Sequence, residues 1–140
     1  MKNPPPPWQI LRLHKLDAKT GATLDNGCRF VECLPPGPLG DVDVTHITVP
    51  ANSRTAPHRH RKSTCFVFVV DGSGFVRLDG RRERVALNDF VLIEPRTVHA
   101  FEANGEPLTL LSVHSPSLSA DGDADIEYCR EAGSEPAVSV

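Results

Sequence analysis

Two histidines one residue apart, His58 and His60, stand at the head of a long apolar run within PHRHRKSTCFVFVVDGSG, residues 57–74. Successive side chains of an extended chain alternate between faces, so both imidazoles project to one side while Arg59 projects to the other. Neutral imidazole is the commonest side-chain ligand for a transition metal, and two on one face of a strand make half of a ligand set. An isolated pair of this kind also fits a surface role, so its meaning depends on what accompanies it.

The elements that must position these residues read as many short strands. Asp25-Asn26-Gly27 is a turn signal, and residues 28–34 form a strand that ends at the PPGPLG loop. Residues 42–49 (VDVTHITV) are a β-branched strand stopped by Pro50, and its His46 reads as a strand histidine satisfied by a neighbour. Beyond residue 74 the punctuation is regular: DG at 79–80, ND at 88–89 and NGEP at 104–107 separate apolar runs at 75–78, 84–87, 90–93, 98–101 and 108–113. Short strands with a turn every few residues predict an all-β sandwich or barrel.

The flanks differ from this centre. Pro4 to Pro7 form a stiff extended stretch, and residues 8–16 fit a short helix or an edge strand equally well. From Ser115 onwards the chain is polar and built of small residues, with 126–129 as the one anchoring run. The expected organisation is an N-terminal arm (1–16), a barrel (17–116) and a C-terminal tail (117–140), extended or partly disordered.

Composition narrows the classes of partner. At 140 residues and 39% hydrophobic, the chain is large enough to bury one core. Its net charge of -3 and the lack of a basic block beyond Arg81, Arg82 and Arg84 argue against nucleic acid. No apolar run approaches a membrane span and MKNPPPPW has no signal-peptide core, so no membrane partner and a cytoplasmic location are expected. Cys28, Cys33, Cys65 and Cys129 contain no CxxC pair, and reduced thiols are the expectation.

The spacing around His58 resembles the first motif of the cupin superfamily, in which HxH is followed by a glutamate and then a glycine. Cys65 stands at the glutamate position and Gly72 at the glycine. NDFVLIEPRTVHAF is similar to the second motif, with Pro95 as its proline, His99 as its histidine and Asn88 in place of the usual turn glycine. The resemblance covers about residues 42–114. It implies a double-stranded β-helix, the cupin jelly-roll barrel, with His58, His60 and His99 converging on one metal ion.

The absent glutamate leaves three neutral imidazoles with Cys65 beside them, either as a fourth ligand that would favour zinc or as a small pocket residue. This set resembles the three-histidine thiol dioxygenases of the cysteine dioxygenase type, some of which carry a cysteine where Cys65 stands. That resemblance implies a serine and a histidine near the metal, matched by Ser112 and His114, and a tyrosine, whose position is Pro116 here. The only tyrosine, Tyr128, could reach the pocket only if the tail folded back over the barrel mouth. The family's carboxylate-binding arginine is best matched by Arg29, with Arg54 and Arg96 as alternatives.

The expected function is that of a metal-dependent cupin enzyme, a mononuclear iron(II) oxygenase acting on a small thiol or other chelating carboxylate. A non-oxidative zinc or nickel isomerase, cyclase or lyase is the alternative, followed by a ligand-binding cupin without catalysis. Iron(II) is the expected metal, with zinc, nickel or manganese also compatible. A homodimer paired through the N-terminal arm is expected.

Overall fold

A computed structural model describes residues 3–120, 122 and 124–130, and the end of the tail expected at 117–140 lies outside them. A helix α1 (Leu13–Thr20) precedes eleven strands among the described residues: β1 (Ala22–Thr23), β2 (Arg29–Leu34), β3 (Asp43–Val49), β4 (His58–Arg59), β5 (Thr64–Asp71), β6 (Ser73–Leu78), β7 (Arg81–Ala86), β8 (Phe90–Ile93), β9 (His99–Ala103), β10 (Leu108–Ser115) and β11 (Glu127–Tyr128). They form a six-stranded sheet, β1-β2-β3-β10-β5-β8, and a five-stranded sheet, β11-β4-β9-β6-β7. Every pairing is antiparallel. The two sheets make the jelly-roll sandwich expected of the sequence.

The structure specifies both flanks. Of residues 8–16, those from Leu13 form the start of α1, which continues past residue 16 to Thr20 and packs on β2. In the tail, β11 pairs with β4, so the chain returns to the barrel after residue 120.

The turns explain the strand lengths. Asp79 (φ 49°) and Gly80 (φ 87°) are both left-handed, as a two-residue hairpin between β6 and β7 requires. Asn88 is left-handed too, at φ 75°, which is why asparagine can stand where the cupin motif has glycine. Gly72 is demanded twice over: its φ is +85°, and a Cβ there would lie 2.3 Å from the Pro107 carbonyl oxygen.

The core lies between the sheets. Val49, Val67, Val69, Leu108 and Leu110 from one sheet meet Val76, Val85, Phe101 and Ala103 from the other. Each of the valine, leucine and phenylalanine side chains contributes about 1.5–3 kcal/mol by leaving water. Along β10 the interior positions read Leu108, Leu110, Ser112, His114, and along β9 they read His99, Phe101, Ala103. One end of the interior is therefore apolar and the other polar. The register sets His114 opposite both Cys65 and Asp43 at the polar end.

Candidate metal centre

His58 lies on β4, directly opposite His99 at the start of β9, and His60 follows one residue beyond β4. Directly opposed residues of an antiparallel pair share a face, which places His58 and His99 side by side. Their ring centroids are 4.3 Å apart, and His60 lies 5.0 Å from His58 and 5.2 Å from His99. One ring nitrogen from each falls within 4.8 Å of the others.

Each ring is oriented by the same device. Nδ1 of His58 donates to the Ala56 carbonyl at 2.8 Å, Nδ1 of His60 to the Asp125 carbonyl at 2.6 Å, and Nδ1 of His99 to the Thr97 carbonyl at 2.9 Å. A carbonyl can only accept, so the proton of each neutral ring sits on Nδ1 and Nε2 keeps its lone pair. Nε2 of His60 is buried and has no hydrogen-bond partner among the described residues. An orphaned acceptor of this kind is costly unless something binds it, and a cation held by three such nitrogens fits the need.

Electrostatics point the same way. Burial pushes His60 down to about 4, and it also lowers His58 and drives His99 well below the usual imidazole value. All three are neutral at physiological pH, the form that binds metal.

Asp125 builds one wall of the site from far along the chain. Its carboxylate accepts from the backbone N–H groups of Arg61, Lys62 and Ser63 at 2.8, 2.8 and 3.0 Å. Burial raises this carboxyl, but the three N–H donors outweigh burial and hold it below its ordinary value. The same residue's carbonyl anchors His60. The return is completed by β11 on β4, with Tyr128 opposite His58, and by Cys129 N–H donating to the Pro57 carbonyl. The Tyr128 ring centroid is 6.1 Å from that of His58, so the tail does bring the tyrosine to the rim.

A second polar group lies deeper. The Cys65 Sγ is 3.1 Å from Ser112 Oγ, which is 3.2 Å from His114 Nε2. His114 Nδ1 donates to Asp43 Oδ1 at 2.7 Å, and Asp43 Oδ2 accepts from Leu118 N–H at 2.7 Å. Burial would push His114 down, but the Asp43 carboxylate and Cys65 outweigh it and raise the ring to about 9. Burial likewise raises Asp43, and its bonds to His114 and Leu118 bring it below the ordinary carboxylate range. His114 is thus a buried imidazole backed by a carboxylate, 5.2 Å from His60 between ring centroids.

The structure brings together His58, His60 and His99, with Cys65, Ser112 and His114 beside them. Arg29 does not join them. It sits opposite Thr48, on the face of the sheet away from the interior residues Asp43 and His114, and its guanidinium is held by Asp17 of α1 and by Thr23. The expected carboxylate clamp at Arg29 is corrected on this ground: strand parity turns the side chain outward. Of the alternatives, Arg96 is exposed and gives the site its backbone N–H, which donates to the His60 carbonyl at 2.6 Å. Arg54 forms an isolated bridge with Glu102.

Sequence reasoning missed Asp43 and Asp125. Asp43 left a faint signal, an acidic residue at an inward-facing position of a β-branched strand. Asp125 left none, because its role arises from a return of more than sixty residues.

Residues 45–114, half of the chain, match the cupin domain family. The chain is a cupin. An uncharacterized protein of Methanocaldococcus jannaschii, MJ1618, is 31% identical over 80 residues, covering 56% of this chain and 64% of that protein. This cupin therefore spans just under two thirds of that curated relative. Among solved structures, KdgF from Halomonas sp. superposes with a TM-score of 0.67 at 19% identity, over 78% of this chain and 94% of that one. A predicted oxalate decarboxylase from Thermotoga maritima gives 0.68 at 16% identity over 76% and 97%. The polyketide cyclase RemF from Streptomyces resistomycificus gives 0.65 at 19% identity over 76% and 78%. At these identities the likeness establishes the cupin fold alone. All four cysteines are free, and no helix among the described residues is long and apolar enough to cross a membrane.

Proposed function

We propose that this cupin is a metal-dependent enzyme that binds a small chelating substrate at His58, His60 and His99 and moves a proton through His114. The carrying observation is the common anchoring of the three Nδ1 atoms, which leaves three lone pairs facing one another, one of them orphaned and buried. A bound iron(II), zinc, nickel or manganese ion would supply a Lewis acid and, for iron, a redox partner for dioxygen. The chain's own groups do the rest. The three imidazoles hold the cation without cancelling its charge, which favours an anionic ligand such as a thiolate. The Asp43–His114 pair holds a proton at Nε2, and Ser112 carries it toward Cys65 or a ligand beside it. Tyr128 narrows the rim and limits water.

Within this class, a mononuclear iron(II) oxygenase acting on a small thiol is the first reading, supported by the neutral three-imidazole set beside Cys65. A non-oxidative zinc or nickel cupin is favoured by a separate observation: Asp43–His114 is an acid–base device that needs no oxidant, and Arg29 is engaged elsewhere. Metal-stripped protein reconstituted with iron(II) should consume oxygen with one or more members of a thiol panel, and His114→Ala should slow it by about 100-fold or more. Zinc-loaded protein that exchanges a substrate C–H proton for deuterium under anaerobic conditions, with no oxygen uptake by the iron form, selects the second reading. A chain that binds metal and shows neither activity refutes the enzyme proposal.

A further inference from the structure

Beside the three-histidine set lies a second group of potential ligand atoms: His60, Cys65 and His114, all buried, with one donor atom of each within 4.8 Å of the others. We infer that this inner group is a distinct, thiolate-containing site for zinc or cadmium, and that it competes with the three-histidine set because both require His60. It does not depend on the oxygenase reading: it shares His60 with the three-histidine set, and a metal held there would occupy the Cys65 and His114 of the proposed proton route.

Four observations support it. Nε2 of His60, on a residue only 2% exposed, lacks a partner among the described residues and is common to both groups. His114 is prepared as the three other histidines are, with Nδ1 tied to an oxygen acceptor, here the Asp43 carboxylate. A carboxylate behind an imidazole is the usual support of a metal-binding histidine, fixing the ring and strengthening Nε2 as a donor. Cys65, 2% exposed, presents Sγ to the same space, 3.1 Å from Ser112 Oγ. Finally, the distances suit: tetrahedral bonding at ~2.1 Å to nitrogen and ~2.3 Å to sulfur sets donors roughly 3.5 Å apart, inside the 4.8 Å that spans the three donor atoms.

Charge separates the two sites. A divalent ion with one thiolate and two neutral imidazoles carries one net positive charge, which Asp43 neutralises from behind His114. Burial of that assembly is tolerable because it is paired. In the three-histidine set the full double charge remains for an incoming anion. Thiolate also selects zinc and cadmium over harder ions, whereas the all-imidazole set accepts iron or nickel. Binding releases two protons to solvent, one from the Cys65 thiol and one from His114 Nε2, and forms a metal–sulfur and a metal–nitrogen bond in their place; no electron is transferred.

The test uses the full chain stripped with a chelator and titrated with cadmium, reading the sulfur-to-cadmium charge-transfer band in the ultraviolet. Wild type should show the band at one ion per chain. The band should persist in the double variant His58→Ala/His99→Ala, with affinity within about threefold, and disappear in Cys65→Ser. His114→Ala should weaken it by about 10-fold or more. Nickel binding by Cys65→Ser, followed by its imidazole spectrum, demonstrates that this variant is folded and that the outer set is intact. A wild type without the band overturns the inference, as does a band that survives Cys65→Ser and so arises from another cysteine. A band lost in His58→Ala/His99→Ala also overturns it, since Cys65 is then a fourth ligand of the outer set.

Discussion

Replacing Asp125 by alanine should open the metal centre from a residue that supplies no ligand. The carboxylate accepts three backbone N–H groups, of which those of Arg61 and Lys62 are at the surface and that of Ser63 is buried. Water replaces the carboxylate at the first two positions at little cost. The Ser63 donor is left unsatisfied, which costs about 1–3 kcal/mol. A loss of ~2 kcal/mol is small against a global stability of about 5–15 kcal/mol, so the barrel remains folded. The return of the tail is held locally by the two residues of β11, the Cys129–Pro57 bond and the Arg59–Glu127 ion pair. There, ~2 kcal/mol raises the open population roughly 30-fold. An open tail withdraws the Asp125 carbonyl from His60 Nδ1 and frees the ring to turn. The expected consequence is a 10- to 100-fold loss of affinity for zinc or cobalt, the usual effect of removing a ligand's hydrogen-bond support. Competition with a chromophoric chelator measures the affinity, and hydrogen exchange at the amides of residues 61–63 measures the opening. Faster exchange with affinity unchanged to within about threefold would refute the claim that the tail orients His60.

Three further outcomes follow from the same geometry. Metal-free protein should lose stability as pH falls from about 6.5 to about 4, because the unfolded chain protonates its histidines there while buried His60 does not; for His60 alone this amounts to ~3 kcal/mol, and His58 and His99 add to it. Urea titrations of metal-free protein at pH 7 and 5 measure it, and a flat profile would contradict neutral burial of these rings. Asp43→Asn should destabilise the protein most between about pH 4 and 6.5, where the His114–Asp43 pair is fully charged; the difference from wild type should shrink as pH rises from 6.5 through about 9, where His114 loses its proton. A pH-independent difference would mean that the pair is not ionic. Trp8 and Ile10 on the arm, and Phe90 and Leu92 on edge strand β8, are exposed apolar groups, and a homodimer that covers them is expected; a monomer by light scattering at micromolar concentration would refute it.

Much of the architecture was legible because it depends on short-range rules. Turn residues and two-residue alternation mark most of the strands from β2 to β10 within a few residues, and the left-handed φ of Asn88 accounts for the motif's one irregular turn. His58 and His60 shared a face by alternation alone. Arg29 was misread because alternation gives relative faces within a strand but not which face is inward. That choice was made when α1 packed beside β2 and Asp17 took the guanidinium.

The sequence by itself determined the class of fold and the identity of three imidazoles, since both are carried by residue types at short, fixed spacings. Only the tertiary structure decided that Asp125 anchors His60, that Asp43 backs His114, and that Tyr128 reaches the rim. Those contacts join residues 65, 71 and 70 positions apart. No local propensity encodes such pairings, because they exist only after the two sheets close and the tail strand adds to β4. The inner group at Cys65 has the same origin: His60, Cys65 and His114 become neighbours through the register of β10 on β5, and that register is fixed by the burial of Leu108, Leu110, Val67 and Val69 at the apolar end.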